Sequence, residues 1–174
     1  VQTEATKGRH ASIGVAASVK SLTEAVVSAG QYSDGYDILP FMVVDGVNDA
    51  GIVCNVNILP HGDKPATTGS NPNGDDLPMI MIPRYVLDYA STADEAVELL
   101  RNANVIAPNS DVLSAEMHFM IADADKTYVV EFVNNEISVI EDFIDDKPIM
   151  TNFYLTGFDG NTATAYYKST QYDA

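Results

Sequence analysis

Residues 45–60, DGVNDAGIVCNVNILP, decide how the rest of this chain is read. DGVNDAG is dense in Asp, Asn and Gly, the residues that favour tight turns, and the apolar run IVCNVNIL follows it up to Pro60. A turn feeding one short β-strand is predicted. Strand side chains alternate between faces, so Asn55 and Asn57 share one side and Cys54 takes the other. Amides held rigidly on a strand can aim N–H donors at a developing oxyanion, which makes these two asparagines candidate site residues.

Working outward, ILPFMVV (residues 38–44) reads as the strand that DGVNDAG reverses, with IVCNVNIL as its hairpin partner. Further upstream, SLTEAVVSAG carries Ser21 and Glu24 at capping-box spacing and Gly30 as a stop, which predicts a short helix. Downstream, HGDKPATTGSNPNGDD lacks apolar periodicity and reads as a long exposed loop. LPMIMIPRYVLDYAS and TADEAVELLRNAN read as two helices. Thr92 and Glu95 form a second capping box, and Ala93, Ala96, Val97 and Leu100 recur at helical spacing. AEMHFMIAD, TYVVEFV and EISVIED alternate as three strands joined by ADADK and by NN, and PIMTNFYL reads as a further short strand. The order of hairpin, two helices and antiparallel meander indicates one α+β domain over residues 1–174. The helices (residues 83–101) are expected to pack antiparallel on a sheet containing the meander (residues 116–141).

The 174 residues leave room for one sizeable core. Nine Lys and Arg against 25 Asp and Glu give a net charge of −16, so no basic patch is available to neutralise nucleic-acid phosphates or to meet an anionic membrane. A single cysteine forms no internal disulfide, and no apolar run approaches the ~20 residues that span a bilayer. A cytoplasmic protein that binds neither nucleic acid nor membrane is the expectation.

Other chemistry is sparse. His10, His61 and His118 are scattered without zinc spacing, and His118 inside a strand suits a structural histidine better than a catalytic one. DADKTYVVE starts like a calcium loop but lacks its glycine and its glutamate, and GSNPNGDD is followed by neither the lysine nor the helix start of a phosphate loop. Cys54 with His118 as base would be a conceivable nucleophile. Burial in mid-strand, however, would raise its thiol pKa, so Cys54 is expected in the core. Asn152, in MTN, is a second candidate amide, with a cap or turn role as the plainer reading.

Four stretches in order carry a family resemblance: DGVNDAGIVCNVNILP, IPRYVLDYASTADEAVELLRNANV, MHFMIADADKTYVVEFVNNEISVIE and PIMTNFYL. Over residues 36–155 the chain resembles the choloylglycine hydrolase family, the linear amide C–N hydrolases that include bile salt hydrolases and penicillin V acylases. The resemblance implies an N-terminal-nucleophile hydrolase fold, an αββα sandwich of two antiparallel sheets between helix layers. It implies a cysteine nucleophile whose own α-amine is the base, one Asn holding the oxyanion and another orienting substrate. Asn152 matches the second position, and Asn57, with Asn55 as the fallback, the first. The nucleophile has no counterpart here, so the chain is expected to be the middle of a longer enzyme, inactive by itself. Flanking segments, a partner chain or a second copy would then complete its sheets. The implied substrate is a small amide, a bile acid conjugate, acyl lactone or penicillin V, and no cofactor is implied. The rival expectation is a non-catalytic domain that kept the fold and binds acyl ligands.

Overall fold

Turn chemistry sets the centre of the sheet. The computed structural model describes residues 2–3, 7–16, 39–59, 71–106, 116–143 and 146–156. Strand β3 (Val43–Asn48) and strand β4 (Val53–Leu59) form the antiparallel hairpin, with Asp45 opposite Asn55 and Val47 opposite Val53. The strand expected at residues 38–44 therefore lies later in the chain. Residues 39–41 make a short 3₁₀ turn, and strand continues through Asp45 to Asn48. Two causes act together. Pro40 has no N–H to give a ladder, and the Asn48 side chain tightens the reversal so that residues 49–51 suffice, Gly51 taking a φ of 89°. Asn48 Oδ1 accepts from the Ala50 and Ile52 N–H groups at 3.1 and 2.9 Å.

Strand β2 (Ser12–Ala16) pairs with β3, and β1 (Gln2–Thr3) with β2; the sequence pattern did not announce either. After β4 come β5 (Asp76–Pro78), helix α1 (Ile82–Tyr89), helix α2 (Ala93–Asn102) and β6 (Asn104–Ile106). The stretch 77–91 is thus not one helix. Leu77 and Pro78 pair in parallel with Val105 and Ile106, residues 79–81 form a 3₁₀ turn, and α1 starts where Pro83 sits in the first turn and needs no N–H partner. Asp76, read as the end of the long loop, opens β5. Residues 61–70 of that loop and the helix expected at 21–30 lie outside the described residues.

The meander matches its expected ranges. Strands β7 (Glu116–Ala122), β8 (Thr127–Val133) and β9 (Glu136–Ile140) complete a seven-stranded antiparallel sheet of order β1-β2-β3-β4-β7-β8-β9. Asn134 and Asn135, at φ 55° and 65°, supply the two left-handed residues of the β8–β9 turn. The strand expected at 148–155 does not form. That segment joins no ladder and crosses the sheet instead.

Both helices lie on one face of the sheet, α1 against β3 and β4, α2 against β7 and β8. The core fills the space between. Cys54, Phe119, Ile121, Val130 and Phe132 from the strands meet Val86, Leu87, Ala90, Ala96, Val97 and Leu100 from the helices. Phe119 and Phe132 pack edge to face with ring centres 6.3 Å apart. Thr92 caps α2 as its spacing predicts, its side chain accepting from the Glu95 N–H at 3.1 Å. This is the helix-on-sheet layering of an α+β domain. On the opposite face Ile13, Val15, Val47 and Val53 stand exposed.

Gly46 lets α1 lie close to the sheet. A Cβ there would come within 2.7 Å of Leu87 Cδ1 and 2.9 Å of the Ile13 carbonyl, so backbone as well as side chain would have to move. Gly46→Ala is expected to lower unfolding free energy by about 1–3 kcal/mol through overpacking, read as a reduced urea midpoint with unchanged slope.

Candidate functional site

The face of the sheet away from the helices carries the polar chemistry, and strand register assembles it. Asn57 stands opposite His118, and Glu131 opposite Ser138. His118 bonds to Glu131 across β7 and β8, so the four form one cross-strand row. Asn55 lies in the neighbouring row, opposite Asp45 and Met120. Cys54 and Phe119, one residue along, point the other way into the core, as strand alternation requires.

His118 and Glu131 are fully buried, with His118 Nδ1 3.0 Å from Glu131 Oε1. His118 Nε2 lies 2.6 Å from the Thr151 carbonyl. A carbonyl oxygen only accepts, so Nε2 is the donor in that bond. The Glu131 carboxylate accepts at 2.8 Å from each of the Leu155 and Thr156 N–H groups. Burial alone would raise the Glu131 pKa, but the bonds from His118, Thr156 and Leu155 outweigh it and hold the carboxyl below its usual range. Tyr154 donates its hydroxyl to Glu116 on β7. Residues 150–156 are thereby strapped across the sheet. They form no strand because their backbone groups bond to side chains of the sheet rather than to a neighbouring ladder.

The strap brings the two candidate amides together. Asn57 Nδ2 donates to the Met150 carbonyl at 3.3 Å, and Asn152 Nδ2 donates to the Ile58 carbonyl at 2.6 Å. Each asparagine therefore reaches across to the backbone beside the other. Asn55 shares the face but takes no part in this crossing; its Oδ1 is buried with no hydrogen-bond partner. Cys54 is excluded from it. The thiol is fully buried on the helix side, and burial, helped by the Asp45 charge, drives its pKa far above the range of a reactive cysteine.

The discounted calcium motif has a structural explanation. Asp123 Oδ1 accepts from the Asp125 and Lys126 N–H groups at 2.8 Å each, and its Oδ2 accepts from the Ala93 N–H at 2.8 Å. The apparent start of a calcium loop is a turn that also caps α2. Backbone donors, Ala93 first, hold Asp123 below its usual pKa. Among the described residues no group of His, Cys, Asp and Glu side chains is placed to hold a metal. A groove of about 310 Å³ lined by Asp94, Val97, Arg101, Tyr128 and Val139 lies on the helix side, away from the amides, and its acidic rim has no link to them. His61 is outside the described residues.

Sequence reasoning did not single out Glu131 or Asn48. A signal for Glu131 existed: His118 and Glu131 lie equally far from the turn at residues 123–126, so hairpin register alone pairs them. Asn48 carried no such signal, because its partners at residues 87 and 90 are remote in sequence.

A family model for linear amide C–N hydrolases, choloylglycine hydrolase family, matches residues 9–159. No curated protein matches the chain. Among solved structures the chain is similar to a mutant of the conjugated bile acid hydrolase from Clostridium perfringens, at 20% identity and TM-score 0.55 over 76% of this chain and 36% of that one. A second variant of that enzyme matches at 22% identity with the same TM-score and the same coverage. Penicillin V acylase from Agrobacterium tumefaciens matches at 23% identity and TM-score 0.53 over 76% of this chain and 38% of that one. The chain thus spans little more than a third of each structure's length. The likeness establishes the N-terminal-nucleophile hydrolase fold, of which the described residues supply one large sheet and one helix layer. No helix among them is long and apolar enough to cross a membrane.

Replacing Glu131 by Gln removes the buried carboxylate that bonds both the His118 ring and the N–H groups of the strap. Glu131→Gln is expected to cost about 3–5 kcal/mol and to expose residues 150–156 to limited proteolysis. Because the folded pKa of Glu131 is depressed, its contribution is complete above the unfolded value near 4.3 and is lost as pH falls through the lower folded value. Urea titrations across this acid range should show a steeper loss of stability in the parent chain than in Glu131→Gln.

Proposed function

Because the chain belongs to the choloylglycine hydrolase family of linear amide C–N hydrolases, we propose that it forms the substrate-orienting part of a cysteine N-terminal-nucleophile hydrolase. Asn57 and Asn152 are the residues assigned to that role. The observation that carries this reading is their crossing, two amides far apart in sequence meeting on the face opposite Cys54. Convergence of distant polar groups is what an oxyanion and substrate-orienting site needs. In this reading the bond cleaved is a linear amide of a small acyl donor, such as a bile acid conjugate, an acyl lactone or penicillin V.

The attacking thiol is not Cys54. Its nitrogen is tied into a peptide bond in mid-strand, so it has no free α-amine to act as base, and no substrate reaches a fully buried sulfur. The reaction in this reading needs a cysteine with a free α-amine, and Cys54, the one cysteine in the sequence, has none.

One observation favours a second reading. Asn57 and Asn152 each already spend an amide N–H on a backbone carbonyl, which suits a domain that keeps the fold and binds acyl ligands without cleaving them.

The 174-residue chain is expected to release no product from glycine- and taurine-conjugated bile acids or penicillin V. Turnover that Cys54→Ala abolishes would overturn the assignment and make Cys54 the nucleophile. In a longer chain that contains the nucleophile, Asn152→Ala is expected to lower kcat by about 10²–10³-fold with little change in melting temperature. Unchanged turnover there, together with calorimetric binding of the same ligands, would favour the binding domain.

A further inference from the structure

At the end of β4 remote from Asn57, the β3–β4 turn meets the junction of α1 and α2, and three side chains from separate parts of the chain line up. His10 Nδ1 lies 2.7 Å from Asp49 Oδ1, and His10 Nε2 lies 3.1 Å from Ser91 Oγ. With the carboxylate accepting, Nδ1 carries the proton and Nε2 is left to accept from the Ser91 hydroxyl. The His10 bond holds the Asp49 carboxyl below its usual pKa and so keeps it ionised.

Each member is fixed by backbone bonds. The His10 N–H donates to the Asp88 carbonyl at 2.8 Å, and the Asp49 N–H to the Ala11 carbonyl at 2.9 Å. The Ser91 N–H donates to Glu95 Oε2 at 2.8 Å. Asn48, one residue before Asp49, donates to the carbonyls of Leu87 and Ala90 at 3.1 and 2.8 Å, which locks the turn to the residue before Ser91. Ser91 is exposed and His10 is half-buried, so the hydroxyl is reachable from solvent. Thr92, next in the chain, caps α2, so the positive end of that helix adjoins Ser91.

We propose that Ser91, His10 and Asp49 form a second nucleophilic site, a Ser–His–Asp arrangement that acts on small activated esters. Ser91 Oγ attacks the ester carbonyl carbon while its proton passes to His10 Nε2. The C–O bond to the alcohol breaks, and the leaving oxygen takes that proton. Water then attacks the acyl–Ser91 ester, giving a proton to His10 Nε2, and the free acid departs as Ser91 Oγ recovers its hydrogen. Asp49 orients the imidazole and stabilises its charged form during both transfers. This site is independent of Asn57, Asn152 and the amide chemistry assigned to them.

The test treats the whole chain with a biotinylated fluorophosphonate, from which Ser91 Oγ would displace fluoride, and maps the adduct by peptide mass spectrometry. Hydrolysis of p-nitrophenyl acetate is followed in parallel. The expected result is an adduct at Ser91 that Ser91→Ala removes, with labelling and ester hydrolysis both falling about 10²-fold in folded His10→Gln. No adduct at Ser91, or equal labelling of the parent and folded His10→Gln, overturns the proposal and leaves the three residues as a polar latch. Should His10→Gln fail to fold, the parent chain in urea decides. Labelling lost on unfolding supports the site, and labelling retained overturns it.

Discussion

The buried pair of His118 and Glu131 is the constraint on which the polar half of this structure depends. Taking two such groups out of water costs more than their mutual attraction returns unless every remaining donor and acceptor is satisfied. Here the backbone of residues 151–156 supplies the missing partners, one carbonyl to the imidazole and two N–H groups to the carboxylate. Satisfying the pair and fastening the strap are therefore one event. The strap in turn sets where Asn152 stands and which carbonyl faces Asn57.

Strand β4 divides two kinds of work between its faces. Its even side buries Cys54 under the helices, where a thiol behaves as a small apolar group. Its odd side presents Asn57 to the polar row and Asn55 to the row beside it. A one-residue slip would place both amides in the core and the cysteine outside, so the register of β4 against β7 is as important as any side chain. The register of β3 against β4 is held at their turn by Asn48, which spends its amide on that turn and on carbonyls at the C-terminal end of α1. The same asparagine couples the sheet to the corner where His10, Asp49 and Ser91 meet.

The likeness to bile acid and penicillin V hydrolases holds at 20–23% identity. Such likeness survives because the fold rests on patterns that many residues satisfy: period-2 alternation, helix caps and turns that accept positive φ. The fold follows from it. The chemistry of any one site depends on particular atoms.

The sequence by itself determined the α+β class, the β8–β9 turn through Asn134 and Asn135, the cap at Thr92, the meander and the core position of Cys54. These are local: each is settled by neighbours within a few residues, through periodicity, φ preference or a side-chain cap. Tertiary structure alone decided that residues 150–156 would be a strap rather than a strand, because their partners lie some 20 to 90 residues away on the sheet. It likewise moved the first hairpin strand to Val43–Asn48, where Asn48 finds acceptors on a helix that sequence distance hides. It also paired β5 with β6, and it gathered His10, Asp49 and Ser91 from three loops that share no spacing. Local preference acts along the chain; hydrogen bonds between remote residues exist only once packing has brought them together.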